Sequence, residues 1–462
     1  MVHSRRKKSN NLDNLIDNVQ QVLQTYIRQD CHLAVGLSGG IDSVVLLDIL
    51  VTLSQQISFE LSAIHVNHGI SSHAAQWSHF CCHLCYSHGV PVSVSYINIH
   101  KEAGVSLEAA AREERYHIFN RLRADYLVLA QHQDDQAETL LLQLLRGAGV
   151  KGLSAMPIVR KQSSDAAPPI LRPLLNVSRG SIEAYARQHQ LNWIHDESND
   201  SADFNRNFLR HAILPVLSSR YPNYVKTLQR TSQHMAEASL LLDDLAASDA
   251  RCCVDDAGNL HISALRELSL PRARNLLRYI LRLQQVKLPS TAKLNDILNQ
   301  LRCARKDTQL HVVFGHTEIR VYKDFVYILP LRKLPPNHLQ LKWQGESHLI
   351  LSELGGSIHF THVKGLGLCA QKLTQTPVHI KLRQGGERFS PDCKRPRRSL
   401  KNLMQEALIP PWERYALPLM FCGEELVWVP GIGIDCEFQS MPEEAGIVPE
   451  WRPNDSGGKI LK

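Results

Sequence analysis

The residues best suited to chemistry form a short glycine-rich loop, Ser38–Ser43, with the sequence SGGIDS. An apolar run typical of a buried strand precedes this loop, and a segment with helical spacing follows it. Glycines let backbone amides approach an anion closely, the serines add hydroxyl donors, and the helix contributes its positive N-terminal end. Because a carboxylate would repel a phosphate, Asp42 is better explained as a magnesium ligand beside one. A glycine-rich turn is the plainer alternative, but we expect a polyphosphate site formed by Ser38, Gly39, Gly40, Ile41, Asp42 and Ser43.

Acidic residues crowd a second segment, 130–139, with the sequence AQHQDDQAET. It follows another predicted strand, so in a parallel sheet it lies at the same edge as the glycine-rich loop. Asp135 and Glu138 could simply form a capping box for the next helix. Acids beside a polyphosphate usually need a cation, however. We therefore interpret Asp135 as a magnesium ligand together with Asp42, and Asp134 or Glu138 as binding a substrate amine.

Other polar residues are candidates for nucleotide and RNA contacts. His65 follows the second predicted strand, where an adenosine contact would lie, although it could also be a loop histidine with satisfied hydrogen bonds. Arg112 and Arg115 share one face of a predicted helix, and Arg206 and Arg210 are four residues apart on another. Both pairs suit phosphate contacts. The alternatives are a surface ion pair for the first and a solvated helix face for the second.

The elements that must position these residues alternate along the first 221 residues, where buried-strand patterns are separated by longer helical patterns. This alternation predicts an α/β domain with a Rossmann-like parallel sheet and helices on both faces. Residues 222–330 combine helices with a hairpin signal at Gly315-His316, which predicts a small α+β middle domain. Residues 338–450 show short strand patterns and are expected to form a C-terminal α+β domain.

Composition narrows the class of protein. The 462 residues are 44% hydrophobic and 21% charged, which excludes global disorder and a fibrous repeat. No apolar run is long enough to span a membrane, and we expect no secretory signal. The eleven cysteines are scattered, so we expect reduced thiols and a cytoplasmic protein. Between 376 and 405, lysines and arginines exceed acids by six charges, which predicts an RNA partner for Lys394, Arg395, Arg397 and Arg398.

The SGGIDS loop resembles that of the PP-loop ATP pyrophosphatases. Further segments, in order, resemble the tRNA(Ile)-lysidine synthetase family: 65–69, 108–116, 130–139, 152–156, 172–175, 196–199 and 206–210, and then 386–388 and 401–412. The middle of the chain carries this resemblance least. Gln131 stands where some family members have histidine, so we predict no catalytic role there.

The resemblance implies a reaction in two steps on an isoleucine tRNA with a CAU anticodon. The oxygen on carbon 2 of the wobble cytosine attacks the α-phosphate of ATP, and then free L-lysine displaces AMP to form lysidine. It implies ATP and Mg²⁺ as cofactors, with catalytic roles for Asp42, Arg112, Asp135 and Glu138.

Two alternatives stay open at this point. A tRNA thiolase would use the same ATP chemistry but needs reactive cysteines, for which Cys82 and Cys85 are the available pair. A non-catalytic RNA-binding protein would not need the intact loop and acidic segment.

Overall fold

The computed structural model describes residues 13–69, 71–97, 107–162, 166–197, 205–255, 259–304, 310–331 and 338–454. The chain divides into two compact units, Met1–Leu242 and Asp243–Lys462. Among the helices of these residues, none has the length and apolar character needed to cross a membrane.

The first unit is built around a six-stranded sheet with the order β3-β2-β1-β4-β6-β5. Its strands are β1 (Cys31–Gly36), β2 (Phe59–Asn67), β3 (Val92–Tyr96), β4 (Tyr126–Val128), β5 (Val159–Arg160) and β6 (Ile170–Leu171). Its helices are α1 (Asp13–Tyr26), α2 (Ile41–Ser54), α3 (Ala74–Ser87), α4 (Leu107–Phe119), α5 (Gln133–Leu145), α6 (Val150–Leu153), α7 (Arg179–Gln188), α8 (Asn205–Phe208) and α9 (Leu214–Arg220). All neighbouring strands pair in parallel except β5, which runs antiparallel to β6.

Helices cover both faces of this sheet. Val128 and Leu171 pack in one apolar cluster with α1, α2 and α7, whereas the adjacent Leu127 and Ile170 pack in another with Phe119 of α4. Because successive strand residues point to opposite faces, these clusters lie on opposite sides. The predicted α/β class with a parallel sheet is confirmed. Its consequence for function is that β1, β2, β4 and β6 all end at one edge.

The second unit combines helices with four antiparallel sheets. One sheet, β7-β10-β9-β8, packs against helices α11, α12 and α13 through a shared apolar core. These elements are α11 (Ile262–Glu267), α12 (Leu270–Leu283), α13 (Thr291–Cys303), β7 (Leu260–His261), β8 (His311–Phe314), β9 (Thr317–Tyr322) and β10 (Phe325–Pro330). The predicted hairpin is confirmed, because β8 and β9 pair around Gly315, whose φ is +53°. Helix α10 (Tyr224–Cys253) contains the boundary between the two units.

The other three sheets have the orders β11-β15-β18-β19-β20, β12-β13-β21-β14 and β16-β17. Their strands are β11 (Gln340–Trp343), β12 (His348–Leu351), β13 (Gly356–Lys364), β14 (Leu368–Cys369), β15 (Val378–Lys381), β16 (Arg388–Phe389), β17 (Arg398–Ser399), β18 (Leu419–Cys422), β19 (Glu425–Val429), β20 (Gly433–Ile434) and β21 (Ala445–Pro453). The short helices among them are α14 (Ala370–Leu373), α15 (Leu400–Glu406) and α16 (Pro411–Arg414). The mixture of strands and helices confirms the predicted α+β character of this part of the chain.

Two expectations from the sequence need correction. Arg206 and Arg210 do not lie on one α-helix, because a π-helical turn at Leu209–Ile213 lies between α8 and α9. The cysteines are not all free, because Cys393 and Cys436 form a disulfide while nine others remain thiols. Scattered spacing along the sequence gave no sign of this pair, whose members are 43 residues apart.

Candidate active site

The glycine-rich loop connects the end of β1 to the start of α2. Its serines hold it together: Ser43 Oγ lies 2.9 Å from Gly40 O and 3.0 Å from Ser38 Oγ. Gly39 has a φ of +86°, and a Cβ there would lie 2.5 Å from Ile194 Cδ1, so glycine is required. No side chain caps the first turn of α2. The backbone N–H of Ser43 donates to Gly40 O at 3.1 Å, which leaves those of Ile41 and Asp42 available to an anion, as the sequence predicts for a phosphate loop.

Asp42 meets the acidic segment of α5 around one histidine. Nε2 of the buried His132 lies 3.7 Å from Asp42 Oδ1 and 3.6 Å from Asp135 Oδ2. Burial raises the pKa of Asp42, and Asp135 adds to the rise while His132 opposes it. Asp42 Oδ1 is buried and has no hydrogen-bond partner among the described residues. Such an orphaned oxygen beside a second carboxylate suits a Mg²⁺ ion that completes its shell with phosphate oxygens and water.

The capping of α5 differs from the sequence interpretation. His132, not Asp135, is the N-cap, and its side chain accepts from the backbone N–H of Asp134. The Asp135 carboxylate completes the box by accepting from the backbone N–H of His132 at 3.0 Å. Glu138 takes no part in this capping box. Histidine is a rare N-cap, so the usual residue preferences pointed one turn too late.

Arg206 and Arg210 bind the acids of α5. Arg206 Nε donates to Glu138 Oε2 at 2.6 Å and its Nη2 to Asp135 Oδ1 at 2.7 Å. Arg210 Nε donates to Glu138 Oε1 at 2.7 Å. Both oxygens of the buried Glu138 are therefore engaged by guanidinium groups. The structure places these two arginines in an internal ion-pair cluster, whereas the sequence suggested contacts to RNA phosphate.

Asp134 has different surroundings from its neighbours. Its Oδ2 accepts from the backbone N–H of Arg179 at 3.1 Å, and its side chain is 28% exposed. Burial alone would raise the pKa of Asp134, but the neighbouring His132 ring and the hydrogen bond donated by the Arg179 N–H outweigh burial and lower it. Asp134 is therefore ionised at neutral pH and accessible to a cationic ligand.

His65, the predicted adenosine contact, does not follow the second strand as expected. His65 is still within β2, buried, and its Nδ1 lies 2.9 Å from Leu37 O, so it braces the loop from behind. Burial lowers the pKa of His65. His68, three residues later, instead lines a small cavity of about 100 Å³ with Gly36, the last residue of β1, and Ile64 of β2. Burial and Arg115 lower the pKa of His68 to about 4, so it is neutral.

Arg112 and Arg115 project from α4 beside this small cavity, and both line it. The Arg112 guanidinium lies over the ring of Tyr116, with 5.2 Å between its Cζ and the ring centroid. Gln131 also lines the cavity, and its Oε1 accepts from the buried Arg172 at 2.9 Å. Sequence reasoning missed His68, Tyr116 and Arg172. Arg172 stood in a recognised segment, but its burial depends on contacts distant in the chain.

Part of the positive charge of residues 376–405, the basic segment, is neutralised by acids from elsewhere in the second unit. Arg397 pairs with Glu437 at 3.1 Å, and Arg398 Nη1 donates to Glu406 at 2.9 Å. Both acids lie outside the window in which the charge excess was counted. Arg395 is 73% exposed and 3.7 Å from Asp392, and Lys394 forms no ion pair with a described carboxylate. Lys394 and Arg395 therefore remain the most available of the four predicted RNA contacts.

Three family models match the chain. A PP-loop domain matches residues 9–217, a TilS substrate binding domain matches 260–327, and a TilS substrate C-terminal domain matches 378–451. The chain is 49% identical to the tRNA(Ile)-lysidine synthase of Nitrosomonas europaea over 94% of each protein. This chain belongs to the tRNA(Ile)-lysidine synthase family. The family member of Azoarcus sp. is 40% identical over 91% of this chain and 92% of its own. That of Coxiella burnetii is 36% identical over 93% and 95%.

Membership of the tRNA(Ile)-lysidine synthase family confirms the resemblance found in the sequence and agrees with an ATP-dependent ligase. It also weighs against both alternatives. Of the cysteine pair that a thiolase would need, Cys85 is buried, and burial raises its pKa to about 11, which disfavours the thiolate used in sulfur transfer.

Proposed function

We propose that this protein joins free L-lysine to carbon 2 of the wobble cytidine of an isoleucine tRNA with a CAU anticodon, at the expense of ATP. The observation that carries the proposal is the meeting of the anion loop with the acids of α5 at one sheet edge, around His132 Nε2. That edge brings together hydrogen-bond donors that can bind phosphate and carboxylates that can bind a cation or an amine. A reaction that expels pyrophosphate and then uses an amine needs both.

In the first step, the oxygen on carbon 2 of cytosine attacks the α-phosphate of ATP and pyrophosphate leaves. The free amides at the start of α2 and the hydroxyls of Ser38 and Ser43 would hold the departing phosphates. The cavity beside Gly36, Ile64 and His68 would hold adenosine. Arg112, which lines it, would contact the α-phosphate or the cytidine, and Arg115 the nucleotide.

We assign Mg²⁺ to Asp42 and Asp135, because the orphaned Asp42 oxygen fits a hard cation with few protein ligands. The ion would neutralise negative charge on the phosphates. The described residues contain no group of three or more metal-ligating side chains. An ion held mainly by substrate phosphates requires no such group.

In the second step, the ε-amine of lysine attacks carbon 2 and AMP leaves. An amine with a pKa near 10.4 costs roughly 4–5 kcal/mol to deprotonate at pH 7, so the site must accept a proton. Asp134 is the acid best placed to bind the lysine amines, because it is ionised and partly exposed. Glu138 is already neutralised by Arg206 and Arg210. We therefore assign Glu138 to orienting these arginines beside the reacting groups.

The remaining proposals concern the rest of the chain. Residues 1–221 would carry the chemistry, 222–330 would form a middle domain, and 338–450 would bind the tRNA through Lys394, Arg395, Arg397 and Arg398. A cytoplasmic location, where tRNA and ATP are plentiful, goes with this function.

The test is AMP formation from ATP with unmodified CAU-anticodon isoleucine tRNA, with and without lysine. We expect AMP release to depend on both, and methionine tRNA to be a poor substitute. AMP release that ignores lysine but needs a sulfur donor would favour the thiolase alternative.

A further inference from the structure

A second, larger cavity lies in the first unit beyond the ends of β4 and β6. Its volume is about 440 Å³, and no aspartate or glutamate is among the described residues that line it. Its charged lining residues are Arg112, Arg146, Arg160, Arg172 and Arg206. A hollow lined by five guanidinium groups and no acid selects an anion.

Most of this positive charge is not neutralised within the protein. Arg206 is paired with Asp135 and Glu138, but the other four arginines form no ion pair with a described carboxylate. Arg172 is the most buried, at 2% exposure, and it donates to two neutral oxygens, Gln131 Oε1 and, at 2.8 Å, Pro157 O; its further hydrogen-bond partner, Tyr116, is also uncharged. Burial lowers the pKa of Arg172 to about 10, which leaves it charged at neutral pH. A buried charge of this kind is stabilised when an anion enters.

The arginines are also held in place before any ligand binds. The guanidinium groups of Arg112 and Arg160 both lie over the ring of Tyr116, at 5.2 and 5.1 Å from its centroid. Stacking of this kind restricts both side chains and lowers the entropy lost on binding. The cavity is therefore a preformed site rather than a chance gathering of surface arginines.

The position of the cavity identifies its occupant. Arg112, Tyr116 and Gln131 line both this cavity and the small one assigned to adenosine, so the two cavities adjoin. The ATP phosphates have their own loop, and no residue of that loop lines the larger cavity. Tyr116, Met156 and Pro157 add the flat and apolar surface that a base or ribose would contact. The larger cavity thus suits a nucleotide with more than one negative charge.

We propose that this cavity receives the target nucleotide of the RNA, and that Arg146, Arg160 and Arg172 bind the phosphodiesters that flank it. The assignment rests on the proposed function, which supplies RNA as the substrate. It gives roles to three arginines for which the sequence suggested none. It also places the base beside the α-phosphate, because the cavities share a wall.

The test combines one protein change with one RNA change. Full-length tRNA would be assembled with uncharged methylphosphonates in place of the two phosphodiesters that flank the target cytidine. For the wild-type protein we expect this RNA to bind about tenfold more weakly. Arg160→Gln should bind ordinary tRNA about tenfold more weakly than the wild-type protein does. Replacing ordinary tRNA by the methylphosphonate RNA should then weaken binding to this variant by less than about a further twofold, because the contact is already absent. Lys161→Gln, an exposed neighbour outside the cavity, is the matched control. Its affinity for RNA should fall by about tenfold on methylphosphonate substitution, as for the wild-type protein.

Two results would overturn the proposal. One is an independent, additive tenfold loss in Arg160→Gln with the methylphosphonate RNA. The other is a raised KM for lysine with unchanged tRNA affinity, which would assign the cavity to the lysine carboxylate.

Arg172→Lys, which keeps the charge but loses the planar fork, tests the buried contact. It should raise KM for tRNA and leave KM for ATP unchanged. Equal changes in both constants would mean that Arg172 serves only packing. A wild-type protein that shows the methylphosphonate penalty but forms no lysidine would refute the proposed function and leave the cavity assignment standing.

Discussion

The acidic centre around Asp42 and the basic segment around Lys394 both set arginines beside carboxylates, but they do so in different surroundings. In the first, Glu138 is buried and both of its oxygens accept from arginines. In the second, Arg395 and Arg398 pair with acids that are about half exposed. Buried pairs have large effects when one member is removed, whereas exposed pairs contribute little. The same residue types therefore form a buried cluster in one region, which we propose as the catalytic centre, and an exposed surface in the other, which we propose binds RNA.

The largest effect should come from Asp42→Asn, which removes charge but little volume. We expect ATP-dependent turnover to fall by at least about 100-fold, because the loss of a charged ligand beside the phosphates removes stabilisation of the transition state. Steady-state AMP formation measures this. Asp48→Asn, on the same helix and bonded to Tyr185 through an oxygen that the amide retains, is the matched control and should stay active.

The same substitution predicts a dependence of stability on pH. Because burial raises the folded-state pKa of Asp42 above its unfolded value, the folded protein keeps this proton at pH values above 3.8 at which the unfolded chain has released it. Wild-type protein should therefore lose stability relative to Asp42→Asn as pH rises through that range. Thermal unfolding of both proteins between about pH 4 and 7 measures the difference. A constant difference would mean that Asp42 is not desolvated.

Glu138→Gln should have the next largest effect. The change removes the carboxylate charge with which both Arg206 and Arg210 pair, which should lower the free energy of unfolding by about 2 kcal/mol. Urea denaturation measures this. Glu183→Gln breaks exposed pairs with Arg179 and Arg187, so it should cost less than about 0.5 kcal/mol. Equal costs would remove the contrast between buried and exposed pairs.

A smaller effect is expected from the basic segment. The double variant Lys394→Gln, Arg395→Gln should weaken tRNA binding about tenfold and reduce the dependence of log Kd on log salt by about 1.5, with KM for ATP unchanged. Arg397→Gln, Arg398→Gln should change the salt dependence by less than half as much, because those arginines are already paired with acids. Filter binding across a salt series measures both. Identical slopes would show that the pairs open when RNA binds.

No effect on activity is expected from Cys82→Ser. The substitution removes the least buried thiol of the cluster on α3, where a thiolase would need its reactive sulfur. Turnover should stay within about twofold, as for most substitutions away from a site's chemistry. A loss of more than tenfold would reopen the thiolase alternative.

How far the sequence predicted the site depended on the range of the interactions. The anion loop was predictable because its chemistry lies within six adjacent residues. The meeting of Asp42 with Asp135 was also predictable, since parallel strands end at one edge of the sheet. The pairing of Arg206 and Arg210 with Glu138 was not, because the partners are about 70 residues apart. The arginine-lined cavity draws residues from several segments between 112 and 206, and only the folded chain brings them together.

The exact ends of strands and the partners of surface charges also could not be predicted from the sequence. His65 was the predicted adenosine contact, but β2 continues to Asn67, and His68 lines the small cavity instead. Strand ends are set by sheet pairing, not by composition alone. The net charge of the basic segment was overestimated for a related reason, since the acids that pair with Arg397 and Arg398 lie further along the chain.

The most direct test of the central account is mass analysis of nucleosides from CAU-anticodon isoleucine tRNA after incubation with ATP, Mg²⁺ and isotopically labelled lysine. The account predicts cytidine carrying one labelled lysine with wild-type protein and none with Asp42→Asn. A labelled adduct of equal yield with Asp42→Asn would contradict the role given to the acidic centre. Unmodified cytidine with wild-type protein would contradict the proposed function.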